Sequence, residues 1–451
     1  MDLYSAALQT LRGITGGIMQ NIFIVGLDDF NRRELESIRQ AGECSFIDLL
    51  GYDAVVRPRE GRIDFDALLR QARVELDDFS GTIDAIATFW DFPSSSLAPV
   101  LRNERGLPGP SNEAVARCEH KYWSRLEQQS VVPALVPEFC AVDPFDDASV
   151  TAITLDYPFW IKPIKAHSSY LGFKIHNADE LRRHIQRIRD GIALFGVPFD
   201  QYLRHLTVPA VLAGIGGHWC IAEAMISTGQ QCTLEGYVHR GEVAVYGVVD
   251  SIRSGKHRSS FARYQYPSRL PRRTQSSMIE AAARVMTHIG YDNAPFNMEF
   301  YWNHRTGDIR LLEINARISK SHCPLFRLVD GASHQEVMVD LALGQRPEFP
   351  HRQGDFRVAG KFMVRVHEDG IVRGMPTAVE IARVQERFPE ARIHPLATEG
   401  TALKHLPYQD SYSFELAEIF LGADSQKQLL EKYNTCLELL TFDVEPRPDA
   451  A

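Results

Sequence analysis

Apolar and polar residues alternate along two short runs between residues 294 and 317, with a turn rich in Asn, Gly and Asp between them. This pattern predicts a β-hairpin. The apolar face carries Phe296, Met298, Phe300, Trp302, Leu312, Ile314 and Ala316. The opposite face carries Asn297, Glu299, Tyr301, Glu313, Asn315 and Arg317. If Asn303 pairs with Ile309 across a five-residue turn, Glu299 lies directly opposite Glu313.

The opposed glutamates are the strongest candidate for chemistry in the chain. Two carboxylates that face each other across a strand pair lie about 5 Å apart and repel each other. A cation between them would convert this repulsion into a binding site. Glu299, Glu313 and the amide oxygen of Asn315 are hard oxygen ligands, which suit Mg²⁺ that also holds substrate phosphates. Arg317, on the same face, could then hold an anion beside the metal. The alternative interpretation is an exposed hairpin whose charges face water.

The first 115 residues have the pattern of a small α/β domain. Apolar runs at 21–25, 46–49 and 83–89 predict strands, and residues 30–41 have helical spacing. Strands that alternate with helices predict a parallel sheet covered by helices. Gly26 is not followed by Gly-x-Gly-x-x-Gly, so a nicotinamide site is rejected.

Two lysines and a loop of small residues follow in the next ninety residues. Lys121 lies near the start of a predicted helix, and an aromatic-rich strand delivers Lys162. The loop 166–172 then supplies the hydroxyls of Ser168 and Ser169, and its backbone N–H groups could form an anion-binding concavity. A plain hairpin turn is the alternative interpretation of this loop.

Composition narrows the function classes. The chain has 451 residues, with 49 Lys and Arg against 58 Asp and Glu, and a net charge of −9. No general attraction to nucleic acid or to an anionic membrane is expected from this balance. Seven scattered cysteines without Cys-x-x-Cys predict neither a disulfide framework nor a zinc site. The chain also shows no signal peptide or membrane-spanning run, so we expect a cytoplasmic protein.

Residues 251–271 allow two interpretations. They contain a concentration of cationic side chains, namely Arg253, Lys256, His257, Arg258 and Arg263. The segment is expected to be either a flexible, solvated surface loop or a lid that brings cations over phosphate or a substrate carboxylate.

The order of these features resembles that of the ATP-grasp enzymes over residues 20–345. The features are Lys121, the Phe-Trp-Ile-Lys162-Pro strand, the Ser168-Ser169 loop, Glu223 after an apolar strand, and the hairpin from Glu299 to Arg317. The run that starts at Glu313 is also similar to that of carbamoyl-phosphate synthase. The overall size and the tail are closer to the L-amino acid ligases.

The resemblance implies an α/β (α+β) ATP-grasp fold in four parts. These are an N-terminal Rossmann-like, pre-ATP-grasp domain at 1–115, a first grasp subdomain or lid at 116–205, a second grasp subdomain with the metal site at 206–355, and a C-terminal α+β extension at 356–451.

The resemblance also implies roles for individual residues. Glu223 would accept from the adenine amino group, with backbone groups of Ala224 and Ile226 completing adenine recognition. Gln231 stands where the family usually has the glutamate that binds ribose. Lys121, Lys162, Ser168 and Ser169 would hold the phosphates. Glu299, Glu313 and Asn315 would bind two Mg²⁺ ions, with Mn²⁺ as an alternative, and Arg317 and Lys320 would stabilise the transferring phosphoryl group.

The implied activity is ATP-dependent ligation of a small-molecule carboxylate, such as an amino acid, to an amine. The carboxylate would be activated as an acyl phosphate and then form an amide or peptide bond, with ADP and phosphate as products. Two alternatives remain: an ATP-grasp enzyme that forms carbamoyl or carboxy phosphate, and a nucleotide-binding regulator with little turnover. The sequence is compatible with a homodimer and indicates neither a nucleic acid nor a membrane partner.

Overall fold

The computed structural model describes residues 19–56, 63–167, 170–226, 229–254, 260–406 and 413–446. The helices of these residues are α1 Asp29–Leu35, α2 Tyr52–Val55, α3 Phe65–Asp77, α4 Ser94–Arg105, α5 Asn112–Glu119, α6 Lys121–Val131, α7 Asp147–Thr151, α8 Ala178–Gly191, α9 Ala193–Leu203, α10 Arg272–Ile289, α11 Cys323–Asp330, α12 Gln335–Ala342, α13 Ala378–Arg387 and α14 Gln426–Leu439. None of the helices in this part of the chain combines the length and apolar character needed to cross a membrane.

The strands of the same residues are β1 Gln20–Val25, β2 Cys44–Leu49, β3 Ala85–Ala87, β4 Phe139–Val142, β5 Phe159–Pro163, β6 Phe173–Ile175, β7 Cys220–Ala224, β8 Gln230–His239, β9 Glu242–Ser254, β10 Ser260–Tyr266, β11 Ala294–Trp302, β12 Ile309–Asn315, β13 Val358–Val366, β14 Gly370–Gly374, β15 Arg392–Pro395, β16 Phe414–Ala423 and β17 Asp443–Pro446. Helices and sheets alternate as expected, and the predicted mixed α/β class is confirmed.

The N-terminal region forms a parallel sheet with the strand order β2-β1-β3. The central strand β1 buries Ile22, Phe23, Ile24 and Val25 on its two faces, as a sheet covered by helices requires. Asp64 caps the start of helix α3, because its carboxylate accepts from the Ala67 N–H, and the helix buries one apolar side against the sheet. The segment that follows β3 leads directly into α4 and carries Asp91 toward the rest of the molecule.

The predicted first grasp subdomain contains most of a four-stranded sheet with the order β4-β7-β5-β6. Helix α8 covers it with Leu181, Ile185 and Ile188. Strand β7 lies at residues 220–224, so the predicted limit of 205 for this subdomain excludes one of its own strands.

The predicted second grasp subdomain contributes five strands to an antiparallel sheet of eight, ordered β12-β11-β8-β9-β10-β13-β16-β15. Helix α10 packs behind β11 through Met278, Val285 and Met286. Strands β13, β15 and β16 come from the predicted C-terminal extension, but they continue this sheet and do not start a separate one.

The segment 251–271 is largely β structure and not a loop. Residues up to Ser254 belong to β9, and Ser260–Tyr266 forms β10, so most of the segment is a strand pair inside the large sheet. Arg253 lies over the ring of Phe261, 3.9 Å from its centroid. The predicted flexible loop is therefore wrong for these residues, and Lys256, His257 and Arg258 lie outside the described residues.

The β11–β12 hairpin has a different turn from the one predicted. Trp302, rather than Asn303, pairs with Ile309, and the Asn303 N–H donates to the Asp308 carbonyl inside the turn. A β-bulge in β12, opposite Glu299 and Phe300, then inserts Leu312 as an extra residue. This bulge restores the pairing of Glu299 with Glu313. Because of this bulge, Leu311 is the buried core residue and the expected core residue Leu312 is only half-buried.

Candidate functional site

The two glutamates of the hairpin lie opposite each other, as predicted. Burial and the charge of Glu313 both raise the pKa of Glu299. Asn297 pairs with Asn315 one step further along the same face. The hairpin thus presents two carboxylates and an amide side by side.

A chain of hydrogen bonds orients this amide. Asn315 Nδ2 donates to Asn297 Oδ1 at 3.1 Å, and Asn297 Nδ2 donates to Glu235 Oε1 at 2.7 Å. Glu235 is fully buried on β8 and also accepts from the Ser319 N–H and pairs with His322. Since the Asn315 amide nitrogen is engaged with Asn297, its oxygen is the end left for a ligand.

Gln231 lies beside the carboxylate pair. Its Nε2 donates to Glu299 Oε2 at 2.6 Å, and its Oε1 accepts from Arg253 Nε at 3.0 Å. Both ends of this amide are therefore engaged within the protein. The ribose contact expected for Gln231 stays a prediction that requires these bonds to rearrange.

Arg317 points at a carboxylate from the N-terminal region. Its Nε and Nη2 donate to Asp91 Oδ1 at 2.8 and 2.6 Å. Burial opposes the ionisation of Asp91, but the charge of Arg317 outweighs it and holds the pKa of Asp91 at about 2. The Nζ of Lys320 lies 4.5 Å from the ring centroid of Trp90, the residue that precedes Asp91. Burial lowers the pKa of Lys320.

Two lysines, Lys121 and Lys162, come from the predicted first grasp subdomain. Lys162 Nζ forms an ion pair with Glu223 Oε2 at 2.7 Å, across the β5–β7 pair. Lys121, at the start of α6, donates from Nζ to the Ala166 carbonyl at 2.7 Å. Burial lowers the pKa of Lys121 to about 8, although the charge of Glu313 partly offsets it. Lys121 is therefore within electrostatic reach of both Glu313 and Lys162.

Glu223 is almost completely buried between two cations. Burial would raise its pKa, but Arg125 and Lys162 together lower it to about 2. Ala224 ends the strand, and its N–H already donates to the Glu138 carbonyl at 2.9 Å, so this N–H is not free for a base. Ile226 follows at the end of the described run, and Ser168 and Ser169 lie outside the described residues.

The donor set fits a divalent cation. The hairpin offers two facing carboxylates, one of which has a raised pKa, and one amide oxygen. Mg²⁺ takes such ligands when phosphates complete its coordination shell. No group of three or more His, Cys, Asp or Glu side chains converges anywhere in the described ranges. Any metal site on this hairpin therefore depends on the amide and on oxygens from a ligand.

Sequence reasoning missed three residues of this region. Asp91 is 226 positions from Arg317 and stands in an unremarkable apolar run. Arg125 is buried on α6, one turn after Lys121, and this spacing placed it on the same helix face. Lys165, paired with buried Glu119, immediately precedes the predicted anion-binding loop 166–172.

Comparisons with known proteins agree with this geometry. Residues 155–324 match the ATP-grasp domain family. Over 340 residues the chain is 21% identical to the urea amidolyase of Saccharomyces cerevisiae, a match that covers 73% of this chain and 16% of that protein. The chain thus spans about a sixth of the length of this curated relative.

Two solved structures share the fold over nearly the whole chain. The L-amino acid ligase of Bacillus licheniformis superposes with a TM-score of 0.71 at 16% identity and covers 94% of this chain and 99% of its own. Biotin carboxylase of Campylobacter jejuni, in complex with β,γ-ATP, has a TM-score of 0.61 at 16% identity, with coverages of 94% and 92%. The domain match shows that residues 155–324 form an ATP-grasp domain, and the fold shared over nearly the whole chain agrees with it, as the order of the motifs predicts.

Proposed function

We propose that the chain is an ATP- and Mg²⁺-dependent ligase that joins a small-molecule carboxylate to an amine. The observation that supports this most strongly is the proximity of Glu299, Glu313 and Asn315 to cations from three separate elements. Lys121 begins α6, Lys162 lies on β5, and Arg317 follows the hairpin itself. Such an arrangement suits a polyphosphate chain with a divalent cation.

The nucleotide would lie between the two sheets. Glu223, ionised because of Arg125 and Lys162, is a suitable acceptor for the adenine amino group, and Ile226 follows on the same segment. Lys162 and Lys121 would hold the α- and β-phosphates. Ser168 and Ser169 remain candidates for closing the loop over the phosphates.

The chemistry would then proceed in two balanced steps. A carboxylate oxygen of the acid attacks the γ-phosphorus, and ADP leaves. The amine next attacks the acyl carbon, inorganic phosphate leaves, and the amine proton passes to solvent. Arg317 and Lys320 would stabilise the charge on the transferring group and on the oxyanion. When bound, Mg²⁺ would neutralise charge on the β- and γ-phosphates.

The test is an ADP-release screen over pairs of carboxylates and amines, followed by mass spectrometry of the products. Glu313→Gln replaces a charged ligand with a neutral one and is expected to abolish metal-dependent turnover. Glu242→Gln, on the exposed end of β9, is the matched control and is expected to keep full activity. Near-normal ADP release from Glu313→Gln would contradict the assignment.

A second candidate function is the formation of carboxy phosphate from bicarbonate. The likeness to biotin carboxylase and to urea amidolyase supports this alternative. The same screen separates the two functions, because ADP release that depends on bicarbonate and needs no organic acid would select carboxy phosphate.

A further inference from the structure

The candidate metal site exists only because of the β-bulge in β12. From the turn, Trp302 pairs with Ile309 and Phe300 pairs with Leu311. A regular continuation of this register would set Leu312 opposite Glu299 and would turn Glu313 to the apolar face of the hairpin. The bulge leaves Leu312 without a cross-strand partner and thereby brings Glu313 opposite Glu299.

One buried side chain bonds the bulge from outside the sheet. Arg125, on α6, donates from Nη1 to the Leu311 carbonyl and from Nη2 to the Leu312 carbonyl, both at 2.8 Å. Consecutive carbonyls of a regular strand point in opposite directions, so one guanidinium reaches both only where the ladder is disrupted. The Leu312 carbonyl belongs to the same planar peptide unit as the Glu313 N–H. Because Arg125 holds this carbonyl, it also fixes the face of the hairpin to which the Glu313 side chain points.

Two further donors of Arg125 are also engaged. Its Nε donates to Glu223 Oε1 at 2.6 Å, and its Nη1 donates to Gln128 Oε1 at 2.6 Å. The side chain is 2% exposed, and its planar fork matches the two carbonyls in a way that an ammonium group cannot. One arginine thus links the candidate adenine acceptor to the strand segment that carries a candidate metal ligand.

We propose that Arg125 is a positioning residue that builds the metal site by holding the bulge at Leu312, and so places Glu313 opposite Glu299. This inference rests on the proposed function, because it takes Glu313 to be a metal ligand. Arg125 itself contacts neither the metal nor the reacting groups.

The test is a titration of the full chain with Mn²⁺ alone, in which the free ion is measured by electron paramagnetic resonance. Arg125→Lys keeps a charge for Glu223 but cannot span both carbonyls. We expect it to bind Mn²⁺ about 10- to 100-fold more weakly than the wild type, the usual cost of losing a residue that orients a metal ligand. The matched control is Arg102→Lys, which alters another buried arginine that donates to a backbone carbonyl, that of Ile86. It is expected to bind Mn²⁺ like the wild type even where its melting temperature falls.

Deletion of Leu312 separates positioning from general stability. Without this residue, Glu313 follows Leu311 directly and opposes Glu299 in a regular ladder, so no bulge has to be held. In this background Arg125→Lys is expected to leave Mn²⁺ affinity unchanged. If Arg125→Lys weakens Mn²⁺ binding equally in both backgrounds, or in neither, the inference is overturned.

Two further variants test the inference if Arg125→Lys does not fold or if the metal site itself is wrong. If Arg125→Lys does not fold, Gln128→Met removes one partner that orients the guanidinium. Weaker Mn²⁺ binding by that variant supports the inference, and unchanged binding overturns it. If instead Glu313→Gln binds Mn²⁺ as tightly as the wild type, the metal site of the proposed function fails, which is distinct from a failure of the role of Arg125.

Discussion

Replacing Glu299 with Gln tests the electrostatic state of the candidate metal site without any substrate. In the absence of metal, two carboxylates face each other in a largely buried position. Gln at position 299 keeps the shape and an acceptor for Gln231 but removes one charge. We expect the metal-free variant to be more stable than the wild type in alkaline solution.

The size of the effect follows from Coulomb's law. Two unit charges about 5 Å apart at an effective dielectric constant of about 20 repel each other by about 3 kcal/mol. The charges of Arg253 and Arg317 oppose this repulsion at Glu299. A net gain of about 1 to 3 kcal/mol in the free energy of unfolding is therefore expected for the variant.

The sign of the pH dependence follows from the raised pKa. The folded pKa of Glu299 lies above its ordinary value of 4.5, so the unfolded chain ionises first as pH rises. The stability that Glu299 contributes is complete below 4.5 and is lost as pH rises through the folded pKa. Urea unfolding with EDTA should show that the gap between variant and wild type grows between about pH 5 and about pH 8. Saturating Mg²⁺ should reverse the order, because it stabilises only a protein that binds it.

A glutamate in β16 provides a control for which the opposite change in stability is expected. Glu418 is buried, but Lys361 Nζ at 2.5 Å outweighs burial and lowers the pKa of this carboxylate. Glu418→Gln should therefore lose stability at every pH above about 4.5, where the carboxyl is ionised in the unfolded chain as well. If metal-free Glu299→Gln were less stable than the wild type at about pH 8, the proposed repulsion between the hairpin glutamates would be refuted.

Three further predictions concern other parts of the molecule. Arg317→Ala should lower kcat at least about 10²-fold; a change confined to the KM for ATP would make Arg317 a nucleotide-binding residue only. Glu119→Gln removes the ion-pair partner of the buried ammonium of Lys165 and should cost about 3 to 5 kcal/mol in urea unfolding, whereas unchanged stability would mean that the charges of Asp91 and Glu313 suffice for this lysine. Thr377→Ala breaks the capping box at the start of α13 and should cost about 1 kcal/mol with unchanged ADP release, which thermal unfolding and the activity assay check together.

The hairpin shows how far alternation alone can predict a site. The pairing of Glu299 with Glu313 is confirmed, but the turn assumed for it was wrong by one residue and the bulge at Leu312 corrected the error. Alternation follows a period of two and gives no sign of an inserted residue. Leu311 and Leu312 are chemically identical, so the pattern could not tell which of them faces the core.

Other features depend on contacts that no local pattern contains. Asp91 reaches Arg317 only because the N-terminal region packs against the hairpin. The strand Ser260–Tyr266 could have been predicted from its alternating apolar residues, but the many Arg and Ser residues around it favoured a loop. The parallel sheet of the N-terminal region was predictable because its strands are short, continuous apolar runs.

The most direct test of the central claim is the anomalous scattering of Mn²⁺ in crystals grown with a non-hydrolysable ATP analogue. The account predicts a metal peak bounded by Glu299, Glu313 and the side-chain oxygen of Asn315, at about 2.0 to 2.3 Å from each. A peak elsewhere, or the three side chains turned away from the phosphates of the analogue, would contradict it.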